Sequence, residues 1–391
     1  MRTEGDLIKI NEWLLPLSWL YGAIVRLRNW LFDVGIKRST AFSIPVISVG
    51  NITVGGSGKT PHVEYLIRLL HKQVKLAVLS RGYKRKSKGF VLAKDDTSMP
   101  EIGDEPFQMH QKFPDIFVAV DAKRVQGIKM LQQNESTKDV DVVLLDDAFQ
   151  HRYVKPGINI LLVDYHRLII YDKMLPAGRL REPLSGKNRA DIVIVTKCPK
   201  DLKPMEFRVL TKAMNLYPFQ QLYFTCIDYD VPKGLFNGKE MQLENLKGFN
   251  TLLLTGIASP KQMEHDLKPL THELVSLPFG DHHSFRPRDV ERINETFKAM
   301  ASPAIIITTE KDATRLQNTE GLSDEVRNNL YVLPIKVSFM LEQEENFNEK
   351  IISYVHKNSR NSILAKRKDK VETRNSNHSG NRPGTISFRN N

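Results

Sequence analysis

Between residues 42 and 200, short β-branched runs alternate with stretches of helical composition: FSIPVISVG, KLAVLSRGY, PDIFVAV, DVVLLDDAF, INILLVDY and ADIVIVTK. Such alternation predicts an α/β fold, a parallel sheet flanked by helices, with ligands bound beyond the carboxyl ends of the strands. A second region opens at QLYFTCIDYDV (residues 221–231), continues with the strands FNTLLLTGI and PAIIITTEK, and ends at NLYVLPIKVSF (residues 329–339). Its strands are separated by helix-like segments, which predicts a second, smaller α/β domain. Nearer the N-terminus, Trp13, Leu17, Leu20, Ile24, Leu27 and Leu31 recur at alternating four- and three-residue steps. That spacing places them along one face of an amphipathic helix.

The uncharged part of this helix ends at Arg26, short of the roughly twenty residues needed to cross a bilayer. Arg26, Arg28, Lys37 and Arg38 follow closely, and Trp19, Tyr21 and Trp30 lie among the apolar positions. A helix lying in a membrane surface against anionic headgroups has this composition; the pattern alone equally allows a helix packed on its own domain. Over 391 residues the formal net charge is +12, which calls for an anionic partner: nucleic acid, a membrane surface or a phosphorylated substrate. From residue 360 onward eight basic residues accompany two acidic ones, so half of the excess sits in a polar tail without apolar periodicity. Its composition predicts disorder, either as a solvated appendage or as a polybasic tether. The two cysteines, Cys198 and Cys226, form no C-x-x-C pair, which points to a reducing compartment and excludes a cysteine-based metal site.

The stretch VISVGNITVGGSGKTPHVEYLIRLL, residues 46–70, nearly spells a phosphate-binding loop, with Thr53 where the standard pattern has its first glycine. Gly55, Gly56, Ser57 and Gly58 would turn backbone N–H groups around an anion at the start of a helix. Lys59 would neutralise the β- and γ-phosphates and the Thr60 hydroxyl would bind magnesium. In DVVLLDDAFQHR an apolar strand delivers Asp146 and Asp147, the usual source of a carboxylate for the magnesium ion. EIGDEPFQMH carries Asp104 and Glu105, and Asp104 is a candidate base for the phosphoryl acceptor. PFGDHHSF sets Asp281, His282 and His283 in the second domain, where a histidine would support that base across a cleft. Two basic stretches, SRGYKRKSKG and LPAGRLREPL, follow strands on the same edge. They offer Tyr83 and Arg181 to the nucleotide and Glu182 to the metal region.

Taken in order, GNITVGGSGKTP, SRGY, GDEP, DDAFQHR, PAGRLREPL, VTK, FGDHHSF and TTEKDATRL resemble the tetraacyldisaccharide 4′-kinase family of lipid A biosynthesis over roughly residues 10 to 345. The resemblance accounts for Thr53, because that family's loop lacks the first glycine. It implies a membrane-associated kinase at the cytoplasmic face of the inner membrane of a Gram-negative bacterium, using ATP and Mg2+. The implied reaction moves the γ-phosphate to the 4′-hydroxyl of a tetraacyldisaccharide 1-phosphate. Carried over motif by motif, the loop lysine and threonine fall on Lys59 and Thr60, the paired aspartates on Asp146 and Asp147, and the base on Asp104. The supporting histidine falls on His282 and the late glutamate on Glu182. Ala148 stands where the family motif has glycine, and the tail lies outside the resemblance.

The domains expected are an amphipathic membrane helix over 1–40, a P-loop kinase domain over 41–220, a smaller α/β domain with linker strands over 221–345, and a helix end with a basic tail over 346–391. A GTPase switch would need an N-K-x-D motif, and VTKCPKD offers Lys197 without the flanking asparagine and aspartate. A nucleic-acid-dependent ATPase would need basic residues interleaved with aromatics. The tail has almost no aromatics, so no nucleic-acid partner is expected.

Overall fold

The computed structural model describes residues 10–257, 260–280 and 283–359. Its strands are β1 (Val46–Gly50), β2 (Leu76–Ser80), β3 (Val91–Leu92), β4 (Phe117–Val120), β5 (Val142–Asp146), β6 (Ile158–Asp164), β7 (Ile192–Thr196), β8 (Gln221–Tyr229), β9 (Lys233–Gly234), β10 (Asn250–Thr255), β11 (Glu273–Pro278), β12 (Ala304–Thr309), β13 (Leu330–Leu333) and β14 (Ile335–Phe339). They form a nine-stranded sheet in the order β14-β8-β7-β6-β1-β5-β2-β4-β3 and a five-stranded sheet in the order β11-β10-β12-β13-β9. Pairing is parallel from β8 across to β4 and antiparallel at both edges, β14 on β8 and β3 on β4.

Every residue of β1, β2, β5 and β7 is buried, because helices cover the large sheet on both faces and leave no side for polar alternation. On one face Leu66, Ile67 and Leu70 of helix Lys59–Leu70 pack with Ile47, Val49, Val78 and Leu144. On the other, Ile128 and Leu131 meet Leu79 and Leu145, while Phe207, Leu210 and Met214 meet Val193 and Val195. Strand β1 lies between β5 and β6. The chain leaves it toward β2 on one side and later crosses to β6 on the other, so its carboxyl end opens into a crevice of the kind that binds ligands in α/β sheets.

The stretch 221–345 contributes to both sheets. Strand β8 pairs with β7 through Ile192↔Gln221 and its neighbours, and with β14 through Thr225↔Phe339. The five-stranded unit is therefore inserted between two strands of the large sheet. Helix Glu344–Asn358 also departs from the expected division, since it buries Phe347, Ile351 and Val355 in the core beneath β1. Its apolar spacing completes that face of the large sheet, and within the expected 346–391 segment the described residues reach Ser359.

The N-terminal helix, Leu15–Asp33, has one buried and one exposed face. Ser18, Gly22, Val25, Asn29 and Phe32 are buried against the large domain, while Trp13, Leu17, Leu20, Ile24 and Leu27 face outward, each more than half exposed. Leu31 is half-buried. The Ser18 hydroxyl donates to the Met174 carbonyl at 3.0 Å and Tyr21 Oη donates to the Arg181 carbonyl at 3.0 Å. No described helix is long and apolar enough to cross a membrane.

Candidate active site

The loop between β1 and its helix wraps the helix N-terminus. Gly58 caps that helix in the left-handed region (φ +79°), a conformation that L side chains strain to adopt. Thr53 sits where no such freedom is needed: it forms an antiparallel bridge with Leu180, flanked by Arg181 N–H donating to the Ile52 carbonyl at 2.8 Å. Asn51 Nδ2 donates to Thr53 Oγ1 at 3.3 Å and to Ser57 Oγ at 2.7 Å. The threonine thus braces the loop, which explains why glycine is dispensable there. Behind the loop, His62 is fully buried, with ring nitrogens 2.7 Å from the Gly58 carbonyl and 3.1 Å from Thr225 Oγ1.

Strand β5 brings Asp146 and Asp147 beside the loop. Lys59 Nζ lies 3.7 Å from Asp147 Oδ1, and Arg181 Nη2 donates to the same oxygen at 3.2 Å. Burial opposes ionisation of Asp147, but Lys59 and Arg181 outweigh it and hold the carboxyl below its usual range. Asp146 has the opposite balance: burial, then the nearby charges of Glu105 and Asp147, push it up to about 7. Ser80 Oγ donates to Asp146 Oδ2 at 3.0 Å, whereas Oδ1 is buried without a hydrogen-bond partner. An orphaned carboxylate oxygen beside a phosphate loop suits a cation. Glu182 is buried too, with Oε2 accepting from Arg189 at 2.5 Å and Oε1 lying 3.7 Å from Arg28. Among the described residues no three His, Cys, Asp or Glu side chains converge on a metal position. The expected set of Thr60, Asp146, Asp147 and Glu182 therefore does not form a closed protein cage.

Asp104 opens helix Asp104–Lys112. The preceding Gly103 packs on the loop after β2, where an added Cβ would meet the Tyr83 carbonyl at 2.8 Å. From the inserted unit Arg315 donates to Asp104 Oδ2. His282 and Asp281 lie outside the described residues. His283 pairs with Asp289 at 2.9 Å and stacks on Phe279 with ring centroids 5.0 Å apart, contacts that hold it on its own unit.

A cavity of about 250 Å³ runs between the two sheets, floored by Gly56, Ser57, Gly58, Lys59, Thr60 and Pro61. Beyond the loop its wall turns apolar, with Ile227, Ile257, Met263, Leu333 and Ile335, and polar groups are supplied by His166, Gln262, Lys197 and Glu105. His166 Nε2 lies 3.0 Å from Gln262 Oε1, linking the units. Lys197 donates to Asp164 at 2.8 Å and to the Gly56 carbonyl. Of these, only Lys197 and Glu105 stand in recognisable sequence motifs; the apolar lining comes from strand ends and from Met263 of helix Lys261–Leu267, positions that look like ordinary core. Tyr83 and Arg181 do not line the cavity. Tyr83 is largely exposed, its carbonyl next to Gly103, and Arg181 meets the site through Asp147 and Asn51.

A glycine loop at a helix N-terminus, paired aspartates on the adjoining strand and a cleft closed by a second α/β unit define a P-loop nucleotide-binding enzyme. Residues 10–356 match the family model Tetraacyldisaccharide-1-P 4′-kinase, and the chain belongs to that family. It is 59% identical over 362 residues to the tetraacyldisaccharide 4′-kinase of Phocaeicola vulgatus, covering 92% of this chain and 99% of that protein. It is 51% identical over 376 residues to the enzyme of that name from Bacteroides thetaiotaomicron, covering 94% and 99%. The crystal structure of LpxK from Aquifex aeolicus in complex with ATP superposes with a TM-score of 0.66 at 32% identity, covering 88% of this chain and 98% of that one.

Proposed function

We propose that this protein transfers the γ-phosphate of ATP to the 4′-hydroxyl of a tetraacyldisaccharide 1-phosphate, giving the 1,4′-bisphosphorylated lipid. The observation that carries the reading is the placement of Lys59, beside Asp147 at the floor of a cleft whose inner wall is apolar. The N–H groups of Gly55 to Thr60 cradle the phosphates, Lys59 neutralises the charge shared by the β- and γ-phosphates, and the apolar wall accepts the base. Asp146, Thr60 and one of Asp147 or Glu182 would hold Mg2+, which supplies further charge neutralisation on the phosphates. Asp104 takes the proton of the acceptor hydroxyl as its oxygen bonds to the γ-phosphorus and the bond to the ADP oxygen breaks.

The lipid stays in the membrane while the nucleotide is soluble. The outward stripe from Trp13 to Leu27 lies in the membrane surface at its cytoplasmic face, with Arg26 toward the headgroups. Arg28 turns inward instead, donating to the Gln150 carbonyl at 2.9 Å. The direct test is incubation of the purified protein in detergent with labelled ATP and a tetraacyldisaccharide 1-phosphate. A bisphosphorylated lipid supports the reading; label released only as free phosphate rejects it.

A further inference from the structure

Helix Asp104–Lys112 of the large unit and helix Glu310–Leu316 of the inserted unit carry acidic residues in their first turns and basic residues in their last. Each arrangement suits its own helix dipole. The two helices also meet in opposite senses, so the acidic end of one faces the basic end of the other. Arg315 binds Asp104, Lys311 Nζ lies 3.6 Å from Glu105, and Lys112 binds Glu310. These three contacts tie the sheets together across the mouth of the cleft.

The first contact differs from the other two in what stands behind it. Arg315 is almost fully buried, and its Nη1 lies 3.3 Å from Oδ1 of Asp312, a side chain with no exposure at all. Asp312 in turn accepts from Gly256 N–H at 2.8 Å and from Thr309 Oγ1 at 2.7 Å. Gly256 follows β10 and Thr309 ends β12, so the guanidinium is anchored to two strand ends of the inserted sheet. A planar donor fork held this rigidly fixes the orientation of the carboxylate it meets.

We infer that Arg315, aligned by Asp312, is a positioning residue for the Asp104 carboxylate, so that the inserted unit must seat against the large one before the base points at the acceptor. This rests on the reading of Asp104 as base. Docking of the unit and assembly of the base are then a single event. Nucleotide held by the loop alone stays unreacted until the helices meet. Reactive groups misplaced by about 1 Å lose roughly two orders of magnitude in rate, which sets the scale of the effect.

The experiment compares Arg315→Ala, Arg315→Lys, Asp104→Asn and the double variant Arg315→Ala/Asp104→Asn, with ATP and the detergent-dispersed tetraacyldisaccharide 1-phosphate. Arg315→Ala is expected to lower kcat by roughly 10–100-fold, to leave KM for ATP within about twofold, and to regain turnover in added guanidinium ion. Arg315→Lys should recover only part, because a point charge lacks the fork. In the Asp104→Asn background, Arg315→Ala should cost nothing further, since residues acting as a unit are non-additive. Multiplicative losses, a kcat unchanged in Arg315→Ala, or an equal loss of ATP affinity without guanidinium rescue would each overturn the inference. Asp104→Asn with near-normal turnover would remove the base reading and this inference with it, whereas an inactive Asp104→Asn beside an unaffected Arg315→Ala would remove this inference alone.

Discussion

Arg28, on the N-terminal helix, lies 3.7 Å from the buried carboxylate of Glu182, in the segment between β6 and β7. One side chain thus joins the element expected at the lipid surface to the region expected at the metal. Arg26, two residues earlier, points into solvent. Replacing Arg28 by glutamine removes its hydrogen bond to the Gln150 carbonyl and the cation 3.7 Å from buried Glu182 Oε1, and should cost about 1 kcal/mol of stability, read as a lower urea midpoint. Arg26→Gln should stay within about 0.5 kcal/mol and instead weaken binding to anionic vesicles, more at low salt than at high. Equal stability losses in the two variants would show that the contact with Glu182 contributes nothing.

The outward stripe gives a cleaner test of the membrane than deleting the helix. Removal of residues 1–32 would uncover the surface that Ser18, Gly22, Val25, Asn29 and Phe32 now cover, and the truncated protein should lose stability. Replacing Leu20, Ile24 and Leu27 together by serine leaves that inner face intact. The triple variant should float at least tenfold more weakly with vesicles, given roughly 1–2 kcal/mol for each apolar side chain taken from a membrane interface. Its apparent KM for the lipid should rise while nucleotide affinity stays unchanged; unchanged flotation would assign the stripe to another role.

Lys59→Ala should abolish phosphoryl transfer, with a loss of at least about a thousandfold in kcat, while circular dichroism and the thermal midpoint stay near those of the parent. The reason is that Lys59 contacts Asp147 only at 3.7 Å and contributes little to packing. Turnover close to the parent value would exclude the loop from catalysis.

His62 makes folding stability depend on pH. Burial lowers its pKa from 6.5 to about 4, with the Gly58 hydrogen bond opposing and Lys197 assisting. The unfolded chain therefore binds the proton more readily than the folded one between those values, so stability rises with pH from about 4 and levels off above 6.5. The contribution is on the order of 3 kcal/mol over that window. His62→Gln should make the thermal midpoint rise less steeply between pH 4 and 6.5, with His151, also lowered to about 4 by burial, leaving a residual slope; a variant with the parent's full acid limb would assign that limb to other groups.

Much of the large sheet was legible because its strands are apolar throughout, a pattern that survives in the sequence when both faces are covered. The loop and the ordered motifs likewise pointed to the family that the comparisons then established. What could not be read was the long-range part. Nothing near Thr225 indicates that its partner is Phe339, more than a hundred residues away, so the second region looked like a domain of its own. Arg315 stands inside TTEKDATRL, but its meeting with Asp104 depends on how two helices face each other. Thr53 departs from the standard loop pattern, and its bridge to Leu180 supplies the reason.

The position of helix Glu344–Asn358 has a consequence for biosynthesis. Phe347, Ile351 and Val355 cover the underside of β1, and Tyr354 Oη lies 3.3–3.4 Å from the Val46 backbone. Helix Lys59–Leu70 already packs on Ile47 and Val49, but the part of this face that Phe347, Ile351 and Val355 complete stays open until the chain has been made as far as Asn358. About 160 residues separate the end of β7 from the end of this helix, a delay of roughly 8–30 s at bacterial-scale elongation rates. During that interval the nascent chain carries an apolar sheet face that is only partly covered, a binding site for chaperones. A message truncated within the inserted unit yields a product in which that cover is never completed, which favours proteolysis over partial activity.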